Sequence, residues 1–303
     1  MRRSLLCSSL FVVATLLFAS AAGLDAQEAP KVPEGIVYQA DVEYGRGGDV
    51  PLHLDIARPA ETTGRLPCVV AIHGGAWRGG DKKAHTGLIF TLAQKGYIAT
   101  TVQYRFCPAH RFPAQIEDVK CAIRYLRAHA EELSIDPEKI GAVGFSAGAH
   151  LSMMLGTMQA ADGLEGEGGW ADQSSAVQAV VSFAGPTNLG ADDLPEVSQG
   201  LVKEFLGGTK EDVPEQYKLA SPLTYITKGD APHLMFQGTK DQLVPHSQAI
   251  MMAEALSLAE VPGRVELLIG AGHGWGGVEQ LRSFEETFRF FDHHLKPPAA
   301  TGK

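Results

Sequence analysis

The stretch Ile140-Gly-Ala-Val-Gly-Phe-Ser-Ala-Gly-Ala-His-Leu151 constrains this chain more than any other. An apolar run of strand character enters Gly144-Phe145-Ser146-Ala147-Gly148, and a helix-like stretch from Ala149 to Met158 follows with no spacer. Strand, sharp turn and helix is the context in which G-x-S-x-G lifts a serine hydroxyl out of the fold on a strained backbone. Glycines two before and two after the serine let strand and helix approach closely. The start of the helix sets unpaired N–H groups beside Ser146, where negative charge would develop during acyl transfer. The bare pentapeptide also arises as an ordinary turn; its flanks are what give it weight here.

The rest of the chain reads as alternating strands and helices. Ile36 to Tyr44 and Pro51 to Ile56 predict an antiparallel hairpin around Gly45-Arg-Gly-Gly-Asp49. Cys68 to His73, Tyr97 to Tyr104, Val177 to Ala184, Pro232 to Gln237 and Arg264 to Ile269 predict short buried strands. Helices are expected over Asp81 to Gln94, from Pro113 onward with Ile116, Val119, Ile123 and Leu126 facing inward, over His246 to Glu260, and over Val278 to Leu295. Asp136-Pro-Glu-Lys139 reads as a turn into the serine strand. This pattern implies an α/β fold, a mostly parallel sheet of about eight strands with helices on both faces. Two insertions interrupt it, residues 160–175 and 186–230, the second with a short helix at Leu201 to Leu206; both are expected to rim the site as a small cap, with surface decoration an equal alternative for the first. Chemistry in open sheets of this kind collects beyond the carboxyl ends of the strands.

A serine nucleophile needs a base, and the base an orienting carboxylate. Of eleven histidines, His273 lies in Gly270-Ala-Gly-His-Gly-Trp275, a glycine loop just past the last strand. Asp241 lies in the turn that leaves the preceding strand. The order Ser146, Asp241, His273 is the one expected with such an elbow. His150, one helical turn after Ser146, reads as a packed structural histidine, and Asp230 and Glu266 are weaker acids because they sit before or within strands. His73-Gly74-Gly75-Ala76-Trp77 follows a buried strand, and its glycines let backbone amides converge on a substrate oxygen. Gly74, Gly75 and Ala147 are the expected oxyanion donors, with His73 bracing the loop. Trp77 either lines a substrate pocket or packs under the loop; Trp275 is a second pocket candidate.

With 45% hydrophobic and 20% charged residues the chain has an ordinary globular composition, and its 303 residues suffice for one large domain. Residues 1–26 stand apart: Met1-Arg-Arg3, an apolar run from Leu5 to Ala19, then Ala19-Ser-Ala-Ala22 and Leu24-Asp-Ala26. This reads as a secretory signal peptide cleaved near Ala22 or Ala26, leaving 27–303 as the catalytic domain. The alternative is an uncleaved anchor, for which the stretch is short against a bilayer span of ~20 residues; no other segment is expected to cross a membrane. The expectation is an exported protein without stable membrane association. A net charge of −9 disfavours nucleic acid as a partner. After Cys7 is removed, Cys68, Cys107 and Cys121 match no zinc pattern and no disulfide framework. Export would permit a disulfide, with Cys107 and Cys121 flanking the same loop-to-helix entry. No metal or organic cofactor is called for.

Taken together, His73-Gly-Gly-Ala-Trp-Arg-Gly-Gly-Asp81, Tyr104-Arg105, Phe112-Pro-Ala-Gln-Ile-Glu-Asp118, Gly144-Phe-Ser-Ala-Gly148, Ser221-Pro-Leu223, Gly238-Thr-Lys-Asp241 with Val244-Pro245, and Gly272-His273 run from residue 73 to residue 273, within the strand and helix pattern of residues 36–295. The chain thereby resembles the α/β-hydrolase superfamily, in the esterase/lipase branch related to hormone-sensitive lipase and to bacterial bifunctional feruloyl/acetyl xylan esterase-like proteins. The resemblance implies hydrolysis of small-molecule or polysaccharide esters. It departs from the lipase-like branch at Ala76, where that branch has a third glycine, and in lacking a long N-terminal helical cap. The second departure implies an open site and short acyl groups. An amide hydrolase of the arylformamidase kind shares the H-G-G-x-W loop, and a non-catalytic binding protein on a hydrolase scaffold is the remote alternative.

Overall fold

Leu66-Pro-Cys-Val-Val-Ala-Ile72 is apolar on both of its faces, and such a strand is stable only when both are covered. The computed structural model describes residues 30–296, so the signal-peptide reading of residues 1–26 lies outside the described residues. In chain order the elements are β1 (Ile36–Gly47), β2 (Val50–Pro59), β3 (Leu66–Ile72), α1 (Thr86–Gln94), β4 (Ile98–Val102), α2 (Ala114–Ala128), β5 (Ile135–Phe145), α3 (Ala147–Thr157), β6 (Ala179–Phe183), α4 (Glu196–Leu206), α5 (Pro214–Leu219), β7 (His233–Gly238), α6 (Ser247–Leu258), β8 (Gly263–Leu268) and α7 (Gly277–Leu295).

The strands form one eight-stranded sheet in the order β1-β2-β4-β3-β5-β6-β7-β8. β1 pairs antiparallel with β2, and β2 with β4; every later pairing is parallel. This is the α/β-hydrolase sheet that the resemblance implies. The two-residue alternation of the strands divides the core into two layers. Cys68, Val70 and Ile72 pack with α2, α3 and α6 through Ile116, Val119, Leu151, Met154, Met252 and Leu256. Val69, Ala71, Val143 and Val181 pack on the other face with α1 and α7 through Ile89, Leu92, Phe288 and Phe291.

Three boundaries differ from expectation for local reasons. The helix expected from Asp81 opens as a 3-10 turn over Lys82–His85, where the Asp81 carboxylate accepts the Lys83 N–H and holds the chain tight. The turn expected at Asp136-Pro-Glu-Lys139 lies inside β5: Leu66 pairs with Ile135 and Cys68 with Ile140, so the extra residues bulge out of a continuing strand. The helix expected to begin at Leu201 starts a turn and a half earlier, directly after Pro195.

None of residues 160–175 lines a cavity at Ser146. Lys120 and Arg124, each 1% exposed, would be costly buried cations if unpaired. Glu165 accepts from both, and Trp170 Nε1 donates to the Tyr44 carbonyl, which straps the segment over α2 and β1. Residues 186–230, carrying α4 and α5, are the insertion that covers the site. Cys107 and Cys121 are not bonded: both are buried free thiols, the first facing the Ala76 carbonyl and the second that of Tyr44. Among the described residues no helix is long and apolar enough to cross a membrane.

Candidate active site

β5 delivers its last residue, Phe145, to the carboxyl edge of the sheet, and the chain reverses at once into α3. Ser146 sits at the reversal with φ 54° and ψ −118°, a region that costs a residue with a side chain about 1–3 kcal/mol. The flanking glycines make this possible. A Cβ on Gly144 would strike the Gly148 carbonyl, and a Cβ on Gly148 would strike that of Ile72. Ser146 N–H donates to Phe183 O at 2.8 Å, fixing the turn against β6.

The structure brings Ser146, His273 and Asp241 into one line. Ser146 Oγ lies 2.9 Å from His273 Nε2, and His273 Nδ1 lies 2.8 Å from Asp241 Oδ2. The carboxylate is an acceptor, so Nδ1 carries the proton and the Nε2 lone pair faces the hydroxyl. Asp241 has no exposed side-chain surface. Its Oδ1 accepts the N–H groups of Leu243 and Val244 at 2.8 and 2.9 Å, and its Oδ2 also accepts Gln237 Nε2 at 3.0 Å. Burial pushes its pKa up, but the bond from His273 and the two turn amides outweigh it and hold the carboxyl below its ordinary range. Such a line can draw the hydroxyl proton onto the imidazole while the carboxylate offsets the charge.

The other candidates are occupied elsewhere. His150 is fully buried: its Nδ1 accepts Trp77 Nε1–H at 3.2 Å, its Nε2 donates to Ala220 O at 2.6 Å, and burial pushes its pKa down to about 4. Asp230 accepts from Thr227, and Glu266 pairs with Arg264 and Arg282. His73 donates to the Gly74 carbonyl at 2.7 Å and stacks on Tyr104, whose hydroxyl donates back to His73 O at 2.9 Å. These bonds prop the loop that follows. Gly75, Ala76 and Trp77 all have positive φ, at 119°, 52° and 58°. Among the described residues the amides of Gly74, Gly75 and Ala76 donate to no backbone carbonyl. Ala147, first residue of α3, has no partner within its helix.

Two cavities meet at Ser146 and His273. One, of about 340 Å³, lies under α4 and is walled by Trp77, Leu194, Leu201, Val202, Leu243 and Val244, with Gly75, Ala76 and Ala147 at its mouth. Gly74 is not in that wall; a Cβ there would meet Phe145 O at 2.7 Å. The other, of about 230 Å³, lies toward α7 between Phe145, Phe183, Trp275 and Phe284. Trp77 stacks on Phe205 of α4 with centroids 4.3 Å apart and lines the first cavity. Trp275 lines the second, its indole N–H donated to Ser283 Oγ. The aliphatic walls and Gln237 carry no local signal in the sequence; each looks there like an ordinary strand, loop or helix residue. Among the described residues no group of three or more His, Cys, Asp or Glu is arranged to hold a metal.

The chain is similar to a known family and to several known proteins. The BD-FAE family model matches residues 54–256, which include Ser146 and Asp241 and stop short of His273. The esterase LipQ of Mycobacterium tuberculosis is 31% identical over 74% of this chain and 55% of its own length. The probable carboxylic ester hydrolase LipM of the same organism is 33% identical over 70% and 50%. The chain thus spans about half the length of the curated relatives it matches. Among solved structures, a truncated carbohydrate esterase from gut microbiota superposes with a TM-score of 0.76 at 27% identity, over 85% of this chain and 95% of that one. Propionate-bound esterase Est2 of Thermogutta terrifontis gives 0.73 at 27%, over 89% and 98%. With this fold, this elbow and a family match across most of the chain, the protein belongs to the BD-FAE family of α/β-hydrolases.

Proposed function

We propose that the protein is a serine carboxylic ester hydrolase. The observation that carries the reading is the unbroken line from Asp241 through His273 to a strained Ser146 hydroxyl, beside loop amides that, among the described residues, donate to no backbone carbonyl. Ser146 Oγ attacks the ester carbonyl carbon as its proton passes to His273 Nε2. Gly75, Ala76 and Ala147 N–H groups hold the oxyanion, because these residues border the cavity at the serine; Gly74 serves instead as the close-approach residue that lets the loop lie on Phe145. Each such donor contributes ~3 kcal/mol of transition-state stabilisation. The intermediate collapses, the alcohol leaves with the proton from His273, and water activated by the same imidazole releases the acyl group.

The finer reading is an apolar acyl group in the aliphatic cavity. A dry apolar cavity of roughly 150 Å³ accommodates benzene, so about 340 Å³ has room for acyl groups from acetyl to a substituted aryl chain. A carbohydrate alcohol is supported by the family and by the carbohydrate esterase neighbour. We take residues 27–303 as the catalytic domain and residues 1–26 as an export signal, which N-terminal sequencing of secreted protein tests. The activity itself is tested with p-nitrophenyl acetate. Hydrolysis is expected in the parent and abolished in Ser146→Ala; turnover retained in that variant refutes the assignment.

A further inference from the structure

Gln237 occupies a position where the fold calls for an apolar residue. It is on β7, 1% exposed, on the same face as Met235, which packs in the layer beneath α6. A buried amide at such a place costs about 1–3 kcal/mol unless its hydrogen bonds are made. Both protons of its Nε2 are used: one goes to Asp241 Oδ2 at 3.0 Å, the other to Val244 O at 2.8 Å. Flipping the amide would turn its oxygen against a carboxylate and a carbonyl, so the two acceptors determine the orientation.

We infer that Gln237 is a positioning residue, acting through Asp241 to hold the carboxylate on His273 and to tie it to the wall of the aliphatic cavity. The inference rests on the reading of Ser146, His273 and Asp241 given above. Among the described residues, Asp241 Oδ1 is held only by the amides of its own turn, Leu243 and Val244. The oxygen that faces His273 has one other partner among the described residues, Gln237, and that partner comes from the sheet rather than from the turn. Val244 closes a ring: its N–H binds Asp241, its carbonyl accepts Gln237, and it lines the cavity under α4. An apolar residue of the same shape would fill the space and leave the carboxylate oxygen with the histidine alone.

The test uses two near-isosteric variants of the full chain, each checked for folding by circular dichroism. Labelling of the parent and of Ser146→Ala with a fluorophosphonate comes first, since failure there sinks the underlying reading and not this one. With p-nitrophenyl butyrate, Gln237→Met is expected to lower kcat about 10- to 100-fold, the size of one lost hydrogen bond to an ion, with KM within twofold. Gln237→Glu can donate to Asp241 only while protonated, and the adjacent carboxylate raises its pKa. The ratio of its kcat to the parent's at the same pH is expected to rise toward one as pH falls and to drop as pH rises, a dependence separate from the His273 limb that both share. A kcat in Gln237→Met within twofold of the parent overturns the inference. So does a loss in Gln237→Met accompanied by a Gln237→Glu profile of the parent's shape, because a merely structural role would give that result.

Discussion

The polar line at Ser146 and the aliphatic cavity beside it share the serine and touch at Val244, yet they are held by different forces. Every side chain of the line is placed by hydrogen bonds of 2.8 to 3.0 Å and by a backbone turn that only glycine neighbours allow. The cavity is placed by mutual packing of Leu194, Leu201, Val202, Leu243 and Val244, any of which could be exchanged for another apolar residue at modest cost. Directional forces leave few alternatives, so the chemistry tolerates little change. Packing leaves many, so specificity is free to drift. Variants can test how far the two regions are separable.

Asp241→Asn gives the largest expected effect. The amide keeps the shape but offers an N–H where His273 needs an acceptor, so the wrong tautomer is favoured and kcat should fall by about 10⁴-fold. Preference among acyl chains, measured as a ratio of kcat/KM values, should be unmoved. A change in that ratio would show that the regions are not separable. Next is Val202→Trp, which fills the cavity from α4. Octanoate relative to acetate should lose about 10- to 100-fold in kcat/KM, while kcat for acetate stays within a few-fold. Equal loss on both esters would break the distinction.

Acid gives a smaller and separate test. His150, under Trp77, is buried neutral with its pKa pushed down to about 4, whereas the unfolded chain takes up that proton near pH 6.5. Between these values the unfolded state binds more protons, so stability falls as pH falls through this window. His85 and His233 are likewise pushed to about 4 by burial and add to the slope. Asp241 acts at lower pH: its carboxyl is held below the ordinary range, so its contribution is complete above pH ~4 and is lost only as pH drops through the depressed value. Thermal melts from pH 7 to pH 4.5 should show falling Tm, with a shallower fall in His150→Gln and an unchanged fall in Asp241→Asn. The opposite assignment of slopes would reverse the comparison.

The same difference accounts for what could be read in advance. Gly144 and Gly148 are legible because a close approach admits no other residue there, and the order Ser146, Asp241, His273 follows from loops at successive strand ends. The inner face of α2 is legible from the spacing of Ile116, Val119 and Ile123. The cavity is not, because Val202 and Leu243 differ in nothing local from core residues. Gln237 is hidden for the opposite reason: one polar residue in a strand has meaning only once its neighbours in space are known. Residues 160–175 read as part of a cap because glycine and acid suggest a surface loop, and nothing local reveals that Glu165 answers two cations on α2. The bulge at 136–139 looks like a turn because a bulge uses the same residues.

The most direct measurement is the site of covalent attachment of a fluorophosphonate, read by mass spectrometry of the digested protein. The account predicts one adduct, on the peptide carrying Ser146, formed at a rate that Asp241→Asn and His273→Ala depress and absent from Ser146→Ala. An adduct on another residue, or none on a folded parent chain, would contradict it.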